Sequence, residues 1–352
     1  MRRKRTEIAN PLFSSTFHIT QRCVRKDALL HDKLPSKGRF RSRREAMINC
    51  LSVLASAFAV DILRFSIMSN HIHLVLRNRP DIAQKLSDRE VVERWFRACP
   101  GYCRALADFR NKPGEPVSEK EIEKVLRDKK RVAEIRVRLS SISYFMWALS
   151  NYSSKLFNLI DGQNGCFWQS RYKLKQLLDD LSLLVCGVYV DLNPIRAGAA
   201  KCPEECLYTS AFFNLKSARL VAEIAEIDPA NLPDSFFAPV TIPMVEADKN
   251  QSKLQTRASD NGFANMSQHE YFILLDLIGR LILKKDKGAI PAKLPTIFER
   301  LNLNWESMTE LVNSYEQLFS VFVGSRASLE THATALGGRK LRCPAEKTCF
   351  LP

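Results

Sequence analysis

Residues 62–76 read ILRFSIMSNHIHLVL, and this stretch decides the fold. Two short apolar runs, residues 62–68 and 72–76, are joined by Ser69-Asn70, a pair typical of turns. We therefore predict an antiparallel hairpin of two strands. In its second strand His71 and His73 are two residues apart, which is the side-chain repeat of a strand, so both imidazoles project from one face.

The segments on either side of this hairpin complete one β-α-β-β-(insert)-α-β-α unit. Alternating apolar and polar residues predict strands, whereas apolar residues at helical spacing predict helices. Pro194 disfavours a helical residue before it, so the last helix must end near Asn193. The order predicts an α+β fold with a ferredoxin-like antiparallel four-stranded sheet and helices on one face. The further elements are a strand at 16–24, a helix at 43–60, a helix at 142–160, a strand with one basic face at 166–175 and a helix at 179–192.

The rest of the chain is assigned to three regions. Residues 79–140 are rich in charge and show helical periodicity on both sides of a proline-glycine turn, so we predict an inserted helical hairpin. Residues 1–202 then form one domain, and the proline-containing stretch 203–268 is interpreted as a linker. Residues 269–352 are predicted to be a small all-helical C-terminal unit, with helices at 271–285, 294–301 and 305–323.

The charge of the chain favours a polyanionic partner. Its 352 residues include 53 Lys+Arg and 38 Asp+Glu, a formal net charge of +15. Residues 1–44 alone hold 13 Lys/Arg and three acids, which indicates either a phosphate-binding arm or a solvated tail. No apolar run is long enough to span a bilayer and no signal peptide is evident, so we expect a cytosolic protein without a membrane partner.

The ten cysteines are scattered, which suits a reducing compartment better than a disulfide framework. Two pairs, Cys99/Cys103 and Cys202/Cys206, have C-x3-C spacing. A four-cysteine zinc site is conceivable from these pairs, but the usual C-x2-C spacing is absent.

The histidine pair by itself leaves several interpretations open. Two neutral imidazoles side by side can bind a divalent metal, although each could equally be a core or surface histidine. A histidine-triad nucleotide hydrolase is excluded, because the position two residues after His73 is Val75.

Three separate blocks, in the same order, closely resemble the REP-associated type of single-tyrosine HUH transposases. The likeness covers roughly residues 10–200 and extends less specifically to 276–280 and 287–291. The blocks are residues 59–76, FWQSRYK at 167–173 and YVDLNPIRAG at 189–198.

This resemblance implies the HUH endonuclease fold and a set of site residues. His71 and His73 would bind Mg²⁺ or Mn²⁺, Tyr189 would be the nucleophile and Asn193 would supply an amide ligand. The implied reaction cleaves single-stranded DNA, leaving a 5′-phosphotyrosine and a free 3′-OH. The residues agree with this assignment, because the helix after the fourth strand faces the sheet and a residue four positions after Tyr189 shares its face.

Other residues are secondary candidates, each with a structural alternative. Arg22, Arg171 and Lys173 are strand cations that hold phosphates or simply face solvent, and Arg196 holds DNA or caps a helix. Tyr152 lies in an apolar stripe and is predicted to be core. Trp168 and Tyr172 stack on unpaired bases or pack in the core, with the core favoured slightly.

The predicted function is a transposase that cleaves and rejoins single-stranded DNA at hairpins formed by palindromic repeats. The alternative is a domesticated, non-catalytic protein that binds hairpin DNA. A replication initiator or relaxase is a third possibility, but those usually order their motifs differently. The sequence leaves open whether the protein is a monomer or a homodimer.

Overall fold

The computed structural model describes residues 8–24, 27–30, 39–99, 108–110, 117–224, 226–244, 252, 254–283, 315 and 321–335. These residues form an α+β structure built on one mixed five-stranded sheet. The strands are β1 (Thr16–Arg22), β2 (Val60–Ile67), β3 (His71–Asn78), β4 (Lys173–Leu177) and β5 (Phe322–Val323). The helices are α1 (Arg43–Ala57), α2 (Pro80–Lys85), α3 (Asp88–Ala98), α4 (Glu119–Leu126), α5 (Lys129–Leu139), α6 (Ile142–Asp161), α7 (Asp180–Asp191), α8 (Asn193–Arg196), α9 (Ser210–Glu223), α10 (Gln268–Leu283) and α11 (Arg326–Ala335). No helix in the described residues is both long and apolar enough to cross a membrane.

The strands lie in the order β2-β3-β1-β4-β5. The first four are joined by antiparallel pairs, and the hairpin of β2 and β3 is confirmed. The fifth strand differs from the prediction, since residues 322–323 were placed in a helix and instead pair in parallel with β4. Backbone bonds to Val321 and Val323 satisfy N–H groups of Gln176 and Leu178, so pairing with an open sheet edge outweighs helical periodicity there.

Helices cover both faces of the sheet, so the prediction of helices on one face is wrong. Phe17, Ile19 and Leu74 face α1 and α6 in one apolar core. Val75 and Leu177 belong to a second core with α7 and α10. His18 and His73, at polar positions of β1 and β3, are therefore buried, whereas Arg22 at the end of β1 is exposed.

The fourth strand begins later than predicted. Residues 166–172 were expected to be its first half, but β4 runs only over Lys173–Leu177. Phe167, Trp168 and Tyr172 are instead buried against α6 and its neighbours. This segment keeps a single antiparallel bridge to the end of β1, between Cys23 and Trp168, while its aromatic side chains pack into the core that contains α6.

The insert contains four described helices, α2 to α5, where a hairpin was predicted. They enclose a small core of their own, which includes Val91, Val92 and Ile135. Among its basic residues, Lys129 is paired with Asp88 and Arg131 with Glu134. The following helix α6 is confirmed, and it ends at Gly162 in the left-handed conformation with φ 61°.

Residues 203–268, predicted to be a linker, contribute to both cores in their described part. Phe236 and Phe237 join the core under α1, and Phe263 joins the core under α7. The prolines of this segment led to the prediction of a linker, whereas its aromatic residues indicate packing in a core. In the C-terminal unit α10 is confirmed as a helix. The helix predicted at 294–301 and most of the one at 305–323 lie outside the described residues.

One carboxylate joins four elements inside the second core. Asp191 at the end of α7 lies 3.4 Å from Nε of Arg64 on β2, and both residues are at most 1% exposed. Its Oδ1 accepts bonds from Ser210 Oγ and the backbone N–H of Ala211, which open α9. Its Oδ2 accepts a 2.9 Å bond from Tyr271 Oη on α10. The guanidinium of Arg64 also lies 4.3 Å from the ring centre of Phe263.

Asp191→Ala should lower the free energy of unfolding by about 3–5 kcal/mol, because it leaves the Arg64 charge buried without its partner. Urea unfolding followed by circular dichroism measures this change. The control is Asp276→Ala, which breaks only the exposed pair with Arg280 and should leave stability nearly unchanged. Equal effects in the two variants would contradict the role given to Asp191.

Gly262 is required by close approach of the backbone. A Cβ atom there would lie 2.1 Å from the carbonyl oxygen of Thr241, whereas one at Gly279 in α10 would meet only a Leu192 methyl at 3.4 Å. We expect Gly262→Ala to destabilise the protein by about 1–3 kcal/mol. Gly279→Ala should instead be neutral or stabilising by up to about 1 kcal/mol, since alanine favours a helix. The midpoint of urea unfolding should therefore decrease in Gly262→Ala and stay the same or increase in Gly279→Ala.

Candidate active site

Three histidines share the sheet face that α7 covers. His71 and His73 lie on β3, and Thr20 and Arg22 of β1 are opposite His73 and His71 in the strand register. His18 is opposite Val75, so it is the diagonal neighbour of His73 on the same face. His18 and His73 are 1% and 3% exposed, whereas His71 is only partly buried.

Hydrogen bonds orient both predicted metal ligands. Nδ1 of His71 lies 2.6 Å from Oδ1 of Asn70, an oxygen that can only accept, so the proton of His71 is on Nδ1. Nδ1 of His73 lies 3.0 Å from Nε2 of His18. Nε2 of His71 is then without a proton, and Nε2 of His73 lies 3.4 Å from the amide nitrogen of Asn193. Histidines that bind a metal through one ring nitrogen have the other one held by a hydrogen bond in this way.

Burial keeps these imidazoles neutral. It lowers the pKa of His18 to about 3, with a smaller contribution from the charge of Lys175. Burial and then Arg22 lower the pKa of His71 to about 4. The pKa of His73 is also well below its usual value, mainly through burial. Neutral imidazole is the form that can bind a metal ion.

Tyr189 and Asn193 approach His73 from the helices above the sheet. Tyr189, near the end of α7, has its ring centre 5.6 Å from that of His73. Asn193 opens α8, and its amide nitrogen makes a long 3.4 Å contact with Nε2 of His73. The prediction that the two residues share the face toward the histidines is therefore in agreement with the structure.

Three further residues of the site were not singled out from the sequence. His18 is one, and Lys175 and Tyr315 are the others. Tyr315 is fully buried, and its ring centre is 4.7 Å from that of Tyr189 and 5.3 Å from that of His18. Lys175 places its ammonium 4.7 Å from the Tyr315 ring centre. His18 could have been identified from the sequence, because it is four positions before Arg22 in the polar alternation of β1 and therefore lies on the same face of the strand.

The predicted DNA-binding cations are only partly brought together. Arg22 and Lys173 are exposed and lie on the histidine face, opposite His71 and Thr20 respectively. The guanidinium of Arg196 is 5.0 Å from the Tyr189 ring centre. Arg171 is exposed in the bend before β4, outside the strand register.

The competing aromatic residues lie in the other core. Tyr152 is 1% exposed and its hydroxyl donates to Asp108. Trp168 donates to Ser153, and Tyr172 contacts Ser143 through its hydroxyl. The prediction of core positions for these three aromatics is confirmed.

The donor set for a metal is two imidazoles and one amide. Within the part of the chain that the structure describes, no three His, Cys, Asp or Glu side chains converge as a metal site. His18 does not complete such a set, because it faces His73 rather than a common centre. Imidazole nitrogens and an amide oxygen are ligands that a divalent cation can take. Asn193 faces His73 with its amide nitrogen, so the amide would have to turn for its oxygen to bind. Of the cysteine pairs, Cys103 lies outside the described residues, and Cys206 bonds the backbone of Cys202.

No protein-family model matches the sequence, and no curated protein and no solved structure is significantly similar to it.

The buried histidines predict that the protein loses stability in mild acid. Below pH 6.5 His18 and His71 bind protons in the unfolded chain but stay neutral in the folded protein. The free energy of unfolding therefore decreases as the pH is lowered. Each such histidine contributes up to about 1.4 kcal/mol per pH unit in this window. Urea unfolding in EDTA at pH 7.0, 6.0 and 5.0 measures the slope.

The control for this slope is His18→Gln, which removes one of the buried imidazoles. Its free energy of unfolding should decrease less steeply between pH 6.5 and pH 5 than that of the wild type. A variant with the wild-type slope would contradict the assignment.

Proposed function

We propose that this chain is a metal-dependent transposase of the REP-associated single-tyrosine HUH type, which cleaves and rejoins single-stranded DNA. The observation that carries the proposal is the meeting of Tyr189, Asn193 and the histidine pair on one sheet face. The antiparallel order β2-β3-β1-β4, with crossing helices between the strands, supports the ferredoxin-like arrangement that this family implies.

The proposed reaction is an in-line displacement at phosphorus. Oη of Tyr189 attacks the scissile phosphate, the bond from Tyr189 to phosphorus forms, and the bond from phosphorus to the 3′ oxygen breaks. The phenol loses its proton and the released 3′ oxygen gains one. The phosphodiester energy is kept in the 5′-phosphotyrosine, so a free 3′-OH can reverse the step on another end without ATP.

His71, His73 and Asn193 would hold Mg²⁺ or Mn²⁺, and the charge of the cation would polarise the phosphate. The protein's own groups add positive charge around this position. Arg196 lies next to the Tyr189 ring, where it stabilises negative charge that develops on the phenol oxygen. Arg22 and Lys173 are exposed at the rim of the same face and can contact neighbouring phosphates.

One observation favours the alternative of a protein that binds hairpin DNA without cutting it. Tyr189 is 6% exposed and Tyr315 packs against its ring. The packing around Tyr189 must therefore open before a phosphate can reach its hydroxyl. A chain in which this packing persists would bind DNA through its exposed cations alone.

The proposal is tested with a hairpin-bearing single-stranded oligonucleotide, a divalent cation and a denaturing gel. A 5′-phosphotyrosine keeps the downstream fragment on the protein. A label at the 3′ end should therefore appear in the adduct, and a label at the 5′ end should appear in a free fragment. EDTA should abolish both products.

Variants assign the nucleophile in the same assay. Tyr189→Phe should lose the adduct while its affinity for the oligonucleotide stays within about twofold. Tyr315→Phe and Tyr152→Phe should keep the adduct. Binding with no adduct in either cation would establish the non-catalytic alternative, and loss of the adduct in Tyr315→Phe alone would move the nucleophile to that residue.

A further inference from the structure

The two histidines proposed as ligands are oriented by hydrogen bonds to different kinds of partner. His71 has the amide oxygen of its neighbour Asn70, on the turn of the same hairpin. His73 has another imidazole, that of His18, which reaches it from the adjacent strand β1. His18 is outside the set of residues that the proposed reaction uses.

The contact between His18 and His73 has the geometry of a hydrogen bond within the plane of both rings. Their ring planes differ by 11° and their centres are 5.2 Å apart. With 3.0 Å between Nε2 of His18 and Nδ1 of His73, the rings are joined end to end rather than face to face. This alignment is that of a strong N–H···N bond.

A bond between two imidazole nitrogens holds a single proton, so one of the two residues must donate. If His18 donated, the proton of neutral His73 would be on Nε2, and that atom could bind no cation. In the proposed site Nε2 of His73 binds the cation, so the proton of His73 is on Nδ1 and His18 is the acceptor. The 3.4 Å contact of Nε2 with Nδ2 of Asn193 fits this tautomer, since Nδ2 is a donor.

We propose that His18 is a positioning residue for the metal centre: it accepts the Nδ1 proton of His73 and so holds Nε2 of that ring unprotonated toward a divalent cation. This inference rests on the proposed function, in which His73 is a ligand. Loss of an orienting partner of this kind typically weakens metal binding about 10- to 100-fold.

The test compares two replacements of His18 in the full-length protein without DNA. His18→Phe keeps a ring of similar size and removes the acceptor. His18→Gln places an amide oxygen near the position of Nε2 and can still accept. We expect His18→Phe to weaken Mn²⁺ binding about 10- to 100-fold and His18→Gln to stay within about threefold, as measured by electron paramagnetic resonance of free Mn²⁺.

Thr20→Val is the matched control, because Thr20 is the residue directly opposite His73 in the register and its replacement keeps the shape. It should bind Mn²⁺ as the wild type does. A second readout is the ¹⁵N shift of His73 in metal-free protein. The wild type should show a protonated Nδ1 and a bare Nε2, and His18→Phe should show a mixture of the two tautomers.

The outcomes separate this inference from the function on which it rests. Mn²⁺ binding by His18→Phe at wild-type affinity, or a wild-type His73 protonated on Nε2, would overturn the inference and leave the DNA adduct assay unaffected. Weak binding in His18→Phe with rescue in His18→Gln supports it, even if no adduct forms. A wild type that binds no Mn²⁺ overturns the metal centre together with this role of His18.

Discussion

The buried pair of Arg64 and Asp191 is the interaction on which the arrangement of the site depends. It fixes the end of α7 to β2, and α7 carries Tyr189 two residues before Asp191. Further bonds from Ser210 and Tyr271 to the same carboxylate attach α9 and α10. A charged pair in a core costs desolvation, and the hydrogen bonds to the Asp191 carboxylate offset part of that cost only when α9 and α10 are in place. The position of the tyrosine over the histidines is thus tied to the assembly of the whole second core.

Much of the antiparallel part of the sheet could be predicted from the sequence, because its signals are local. The turn at Ser69-Asn70, the alternation in β1 and the break before Pro194 each depend on a few neighbouring residues. What failed depends on distant partners. Residues 322–323 form a strand because they pair with the edge of β4. Phe236 and Phe263 lie in the segment predicted to be a linker, but they pack in the two apolar cores.

The candidate site shows the same division. The spacing of His71 and His73 and the distance from Tyr189 to Asn193 are readable along the chain, and the structure brings all four residues together. His18, Lys175 and Tyr315 join them from three other segments, and no spacing rule connects these residues to the motif. The contact between His18 and His73 is still less accessible to sequence, since it joins side chains of two different strands.

The pairing of β5 with β4 has a consequence for assembly. The opposite border of the sheet, β2, is also occupied, since backbone groups of Ile62, Phe65 and Ile67 bond to Ala238, Ser210 and Tyr208. A second copy that added a strand to β2, or directly to β4, would first have to break bonds that the chain makes with itself. A symmetric dimer joined through either of these two strands would therefore require a rearrangement of the sheet border in both copies.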